Sequence, residues 1–380
     1  MNMKRITAFS LLALLAGCST ISGWLGSDKG EKPAKLVDFK QAAAFHVRWH
    51  EDVGDMGDSV LEPALTQDAV YAANASGKIY KLRRADGNQV WRVDSGFPIT
   101  GGVGSGDGLV LVGGEKGQVA AYGEDGKLRW KSTAPSEVLS PPQAADGVVV
   151  VRTADGHVVG LSEADGKRQW LYEHPTPSLI VRSYAGVAIA NGVAYAGFSA
   201  GKLAAIDIAS GNVKWEASVS RPHGTTELDR ISDITSPPVL DDEQVCAVSF
   251  QGRVGCFDAV QGNELWNRKL SSEQGLAISG KNLYVSDAQG VVHAMDKTSG
   301  ATIWKNDQLL RRQTSRPLAL DSFVIVGDFE GYLHALSSDD GRMVARIDTD
   351  GSPIPSAPQK MDGGLLVETR DGGLYSISIH

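Results

Sequence analysis

The sequence predicts an all-β fold: an eight-bladed β-propeller of four-stranded antiparallel blades, its ring closed by pairing an N-terminal strand with the C-terminal blade. Three observations carry this prediction. Seven units open on a glycine and close thirteen or fourteen residues later, six of them on tryptophan: Gly77 to Trp91, Gly117 to Trp130, Gly156 to Trp170, Gly201 to Trp215, Gly252 to Trp266, Gly290 to Trp304, and Gly331 to Ala345. Successive opening glycines lie 38 to 51 residues apart, the period of a four-stranded blade and too long for ankyrin or leucine-rich units. An eighth unit starts at Gly372 without reaching a tryptophan, while an unassigned Trp49 sits in Phe45-His46-Val47-Arg48-Trp49. The missing strand of the last blade is therefore expected at residues 45–50, which removes the open edges of an unclosed array.

Within a unit, the fourth copy shows the pattern: Ala194 to Gly197, a turn, Lys202 to Asp207, a turn, then Asn212 to Trp215. Short runs of β-branched and aromatic residues bounded by Gly, Asn and Asp read as strands joined by hairpins. A further strand precedes each, in four units announced by a serine-proline element: Ser140-Pro141-Pro142, Ser236-Pro237-Pro238, Ser315-Arg316-Pro317 and Ser356-Ala357-Pro358. Proline cannot donate to a ladder, so these elements belong at the start of an innermost strand beside the central channel. The opening glycine and a second one, as in Asp86-Gly87 and Asp165-Gly166, suit turns that need positive φ. The tryptophan is too large for one sheet to bury, so it is expected between neighbouring blades. Full burial removes roughly 150–250 Å² from water, an upper-bound stabilisation of about 4–6 kcal/mol per blade.

Upstream of the repeats, residues 1–17 read as an export signal. Lys4-Arg5 is a short basic region and Ile6 to Ala16 an apolar run too short to span a bilayer. Leu15-Ala16-Gly17-Cys18 resembles the lipobox of bacterial lipoproteins, which implies cleavage before Cys18, lipidation of its thiol and anchoring by the acyl chains. Ser19, rather than aspartate, points by the same resemblance to the outer membrane, with the body facing the periplasm. Residues 18–44 carry scattered Gly, Ser, Lys and Pro33 with no sustained period and read as a flexible tether. Trp24 within it suits either lipid headgroups or the domain surface. The propeller is assigned to residues 45–380.

The net charge is −8, and no basic stripe interrupts it, which argues against nucleic acid as a partner. With Cys18 lipidated, Cys246 and Cys256 remain. They flank the Gln251-Gly252 turn almost symmetrically, leaving a cross-hairpin disulfide and two free thiols as alternatives. Gly197-Phe198-Ser199-Ala200-Gly201 fits a nucleophile-elbow pattern, yet its equivalents in other units are ordinary hairpin turns, so Ser199 is assigned to a hairpin. Gly101 to Gly108 is glycine-rich without phosphate-loop spacing and reads as a flexible inter-blade strand. His293 and His334 occupy one position in successive units. Two histidines make a weak metal site, and exposed strand histidines are the expectation. No catalytic, metal-binding or cofactor-binding residue is assigned.

Two resemblances bear on function. Ile206 to Trp215 is similar to the repeat of quinoprotein dehydrogenases, whose fold has eight such blades. This chain lacks their adjacent-cysteine pair and is shorter. The combination of lipobox, tether and eight blades resembles the BamB family, lipoprotein subunits of the outer-membrane β-barrel assembly (BAM) machinery, over nearly the whole chain. Gly224-Thr225-Thr226-Glu227-Leu228-Asp229-Arg230-Ile231-Ser232-Asp233 resembles a family segment and lies in the longest interval, 51 residues; the next, 45 residues, holds Leu179-Ile180-Val181-Arg182. The resemblance implies a non-catalytic scaffold that docks on the periplasmic POTRA domains of BamA, associates with other BAM subunits and helps fold and insert β-barrel proteins, with unfolded precursors as further partners. The implied contact residues are Leu179, Val181, Arg182 and Asp233, with Asp229 and Arg230 beside them. A second acidic residue of the family is Thr235 here. Two apolar side chains beside an arginine suit an interface hot spot; the alternative makes Leu179 and Val181 core residues and Arg182 a loop charge. The rival functions are a PQQ-dependent dehydrogenase and a periplasmic propeller that binds a cell-wall or other ligand.

Overall fold

The computed structural model describes residues 32–380; Cys18 and Trp24 lie outside them. Eight four-stranded antiparallel sheets follow one another in chain order, and the first strands of successive sheets contact each other around a common axis. These are the eight predicted blades. All four serine-proline elements immediately precede an innermost strand: Gln143–Ala145, Val239–Leu240, Leu318–Leu320 and Gln359–Met361.

Blade 8 combines the two ends of the chain. Its inner strands are Gln359–Met361, Gly364–Glu368 and Gly373–Ile379, and its outer strand is Phe45–Asp52, paired from Phe45 opposite Ile379 to Asp52 opposite Gly373. Antiparallel connectivity gives the disc two faces. The links between blades and the turns joining second to third strands share one face, called here the loop face. The turns joining first to second and third to fourth strands share the other, the turn face.

The tryptophans pack between blades as expected, and the structure adds why the second glycine accompanies them. Among the described residues each indole N–H donates to a backbone carbonyl in the third-to-fourth turn of the next blade, as in Trp49 to Arg84 O at 3.0 Å, Trp170 to Ile208 O at 2.7 Å and Trp266 to Lys297 O at 2.7 Å. The glycine of that turn lies against the ring: a Cβ at Gly211 would stand 2.7 Å from Trp170 and one at Gly166 2.5 Å from Trp130. One glycine therefore serves both the left-handed backbone and the close approach of an indole.

The exception at Ala345 follows from the same geometry. Its blade, the seventh, precedes blade 8, whose third and fourth strands come from opposite ends of the chain and have no turn between them. A tryptophan there would find neither the carbonyl nor the glycine. The buried Ala345 instead packs in one cluster with Phe45, Ile377 and Ile379, with Ala43 against it.

Four details differ from the sequence reading. At the fifth unit the left-handed residue is Gln251 (φ 48°), not Gly252, which is required because a Cβ would lie 2.0 Å from Ser249 Oγ. The glycine-rich run forms the inner strand Ile99–Gly106, where glycine admits the neighbouring inner strand: a Cβ at Gly106 would lie 2.2 Å from Ala144 O. His334 is fully buried rather than exposed, and His293 is half-buried. Each bonds the aspartate six residues earlier, at 2.9 Å to Asp328 and 2.8 Å to Asp287, because the second-to-third turn folds that carboxylate back over the third strand. Finally, residues 34–44, within the stretch read as tether, lie against the propeller, and the compact unit begins at Ala34.

Ser199 occupies the turn Ser199–Gly201 between two strands of blade 4, as the repeat requires. Cys246 and Cys256 stand opposite each other on neighbouring strands, with Cα atoms 4.1 Å apart, and are joined as a disulfide.

Candidate docking site

The two longest intervals of the repeat become the links from blade 3 to blade 4 and from blade 4 to blade 5, adjacent on the loop face. Long links expose backbone that must be satisfied by something other than a ladder. Here one carboxylate supplies two of the bonds. Asp233 is buried, 4% exposed. Its Oδ2 accepts the Val181 N–H at 2.8 Å and its Oδ1 the Ala200 N–H at 3.0 Å. One side chain thus clasps both enlarged links and the Ser199–Gly201 turn.

A second clasp comes from Arg152. Its Nε donates to Gly197 O at 3.1 Å and its Nη1 to Ala185 O at 3.0 Å. Burial lowers its pKa to about 10, opposed by the charges of Asp233 and Asp155, so the guanidinium stays protonated at neutral pH. It fixes the end of the first link, while the Tyr184 hydroxyl reaches across to Asp58 O at 2.8 Å. Residues 179–184 are consequently held over the mouth of the central channel. Val181, Arg182 and Tyr184 line a cavity there of about 300 Å³ with Val60, Phe329 and Ile354.

The four contact residues that the resemblance implies fall into three groups, and their two neighbours form a fourth. Leu179 is 40% exposed and Arg182 is exposed, its Nη2 paired with Glu137 Oε1 at 2.8 Å. Val181 is half-buried and anchored by its amide. Asp233 lies beneath the surface and holds the Val181 amide. Neither Leu179 nor Val181 belongs to a strand, since blade 3 ends at Glu173 and blade 4 begins at Val187.

Asp229 and Arg230 belong to a separate, wholly exposed stretch, residues 221–230. The Asp229 Oδ2 accepts the Thr226 N–H at 3.1 Å and Thr226 Oγ1 accepts the Asp229 N–H at 3.1 Å. The Thr226 side chain and backbone hold the Asp229 carboxyl below its usual range. Arg230 Nε donates to Gly224 O at 3.2 Å. This self-closed loop presents Leu228, 65% exposed, an apolar tip that the sequence reading passed over within its own quoted segment. Arg152 was also missed. Its signal lay in the repeat: the residue four before the opening glycine is Ala73, Gly113, Gly197, Val248, Ser286 or Gly327 in six of the other units, so a charge there stands out, as Glu368 does in the eighth. Thr235, which stands where the resemblance implies a second acid, is buried, and its hydroxyl donates to Glu273 O at 2.9 Å.

A family model described as Outer membrane protein assembly factor BamB matches residues 75–306 and 288–380. The Outer membrane protein assembly factor BamB of Nitrosomonas eutropha is 40% identical, covering 99% of this chain and 95% of its own length. Among solved structures, BamB from Moraxella catarrhalis is 25% identical with a TM-score of 0.82, covering 88% of this chain and 99% of that one. The quinohemoprotein alcohol dehydrogenase from Comamonas testosteroni, 13% identical with a TM-score of 0.72 over 88% of this chain and 76% of that one, shares the fold alone. With the family model covering most of the propeller and a near full-length relative beside it, this chain belongs to the BamB family.

Proposed function

We propose that this chain is an outer membrane protein assembly factor: a non-catalytic scaffold that docks through its two enlarged links on the POTRA domains of BamA, held at the periplasmic side of the outer membrane by a lipid on Cys18. The observation that carries the reading is the Asp233 clasp, which braces the first link against the second and fixes Val181 beside the exposed Leu179 and Arg182. Preorganised loops lose less conformational entropy on binding than free ones, and a scaffold with no chemistry to perform has use for such a surface. Arg182 brings a rigid cation to its rim, and Leu228 offers an apolar contact on the neighbouring link.

Co-purification from solubilised envelopes tests the docking. Arg182→Glu and Leu228→Asp should each lower recovery of BamA at least tenfold while the β-sheet circular dichroism stays unchanged; full recovery in both variants would sink the assigned surface. Cys18→Ser should release the protein into the soluble periplasmic fraction. The dehydrogenase rival has its own assay, dye-linked alcohol oxidation after addition of quinone and calcium. Turnover there would overturn the scaffold reading.

A further inference from the structure

The segment 34–44 follows a path that decides where the chain leaves the disc. The closing strand starts at Phe45 opposite Ile379, at the turn face, where Ala44 and His380 exchange backbone hydrogen bonds at 2.8 and 3.1 Å. From there toward the N-terminus the segment climbs the outer strand of blade 7, Met343–Asp348. The amides of Ala42 and Ala43 donate to Val344 O at 2.9 and 3.1 Å. Arg346 Nη1 donates to Val37 O at 3.2 Å, and its guanidinium stands 5.0 Å from the Phe39 ring centroid. Leu36 and Phe39 pack against the cluster containing Trp304 and Met343. At the top, Ala34 N–H donates to Leu310 O at 2.9 Å and Arg312 Nη1 donates to Ala34 O at 3.1 Å. Leu310 and Arg312 lie in the link between blades 6 and 7, on the loop face.

The two arginines that grip this segment are themselves fixed by one buried group. Asp328 Oδ2 accepts Arg312 Nε at 2.7 Å and His334 Nε2–H at 2.9 Å, and His334 Nδ1 accepts Arg346 Nε at 3.2 Å. Such a built-in cradle distinguishes the segment from a tail resting on a surface.

We infer that residues 34–44 form a strap that moves the exit of the chain from the turn face to the loop face, so that an upstream lipid anchor presents the loop face, with both enlarged links, to the membrane surface. The membrane half of this inference rests on the Cys18 reading. The strap also shortens the leash. Sixteen residues from Cys18 to Ala34 reach at most about 60 Å, against about 95 Å if the chain were free up to Phe45.

Spin-label distances in the full lipoprotein in detergent test the strap. A label at Lys35→Cys should lie closer to one at Gln289→Cys, on the loop face, than to one at Asp339→Cys, on the turn face, by about 20 Å, the length of a six-residue strand. The double variant Phe39→Asp, Arg346→Ala should broaden both distributions and speed trypsin cleavage at Lys40. A Lys35 label nearer Asp339 in the otherwise unaltered chain would overturn the strap. In vesicles of phosphatidylethanolamine and phosphatidylglycerol carrying a headgroup quencher, a fluorophore at Leu228→Cys should be quenched at least twofold more than one at Val260→Cys on the turn face. Equal quenching overturns the orientation. If the spin distances hold but the protein fails to bind vesicles, the lipid-anchor reading falls, and with it the membrane half, while the strap stands.

Discussion

Removing the Asp233 carboxylate should unfasten the two enlarged links without touching their surface. Its two oxygens each accept a backbone N–H, from Val181 and Ala200, and hydrogen bonds to a charged acceptor contribute about 1.5–3 kcal/mol apiece. Both donors are half-buried, so water recovers part of that when the link lifts. A local loss of about 3 kcal/mol is the resulting estimate, equivalent to roughly a hundredfold rise in the open population. In Asp233→Ala, hydrogen exchange at Val181 and Ala200 should therefore quicken about a hundredfold, while amides of the outer strand Val213–Ser218 keep their protection. Co-purification with BamA should fall with it, since the ordering cost moves to the binding step. Asp233→Asn, which keeps one accepting oxygen, should lose protection at only one of the two amides. If Asp233→Ala left Val181 protected yet abolished co-purification, the residue would be a direct contact and the clasp argument wrong.

Three further outcomes follow from the fold. Trp170→Ala should cost about 3–5 kcal/mol in urea denaturation, and Trp170→Phe, which chiefly loses the bond to Ile208 O, about 1–2 kcal/mol; Ala345→Trp should also destabilise, by about 1–3 kcal/mol, because its buried site offers no room. Glu368 is buried with neither carboxyl oxygen bonded within the described residues, and burial, then the charge of Glu62, pushes its pKa well above 4.5. The folded state keeps a proton that the unfolded chain releases above that value, so stability should fall as pH rises past it, by up to about 1.4 kcal/mol per pH unit; Glu368→Gln should flatten this slope, and an unchanged slope would place the titration elsewhere. Reducing the Cys246–Cys256 disulfide should lower stability by about 2–3 kcal/mol for so short a loop, read as a shift of the urea midpoint.

Much of the site was legible because the repeat supplied an internal standard. Against it, the stretched intervals around Leu179–Arg182 and Gly224–Asp233 stood out as additions that a blade does not need. Exposure was not legible. Asp233 and Asp229 look alike in a polar loop, yet one is buried beneath backbone amides from 33 and 52 residues away and the other closes a turn with Thr226, three residues off. His334 misled for a similar reason: its alternation places it on a strand face, and only the inward fold of Asp328 and the approach of Arg346 make that face interior.

The sequence by itself determined the number of blades, the tryptophan interfaces and the shared last blade, because periodicity and turn chemistry act within about forty residues and are written locally. Tertiary structure alone decided which carboxylate clasps the links, why Ala345 breaks the pattern and which face releases the N-terminal segment. Those depend on groups brought together by ring closure, such as Arg312 and Ala34, 278 residues apart, and no local pattern records such a meeting.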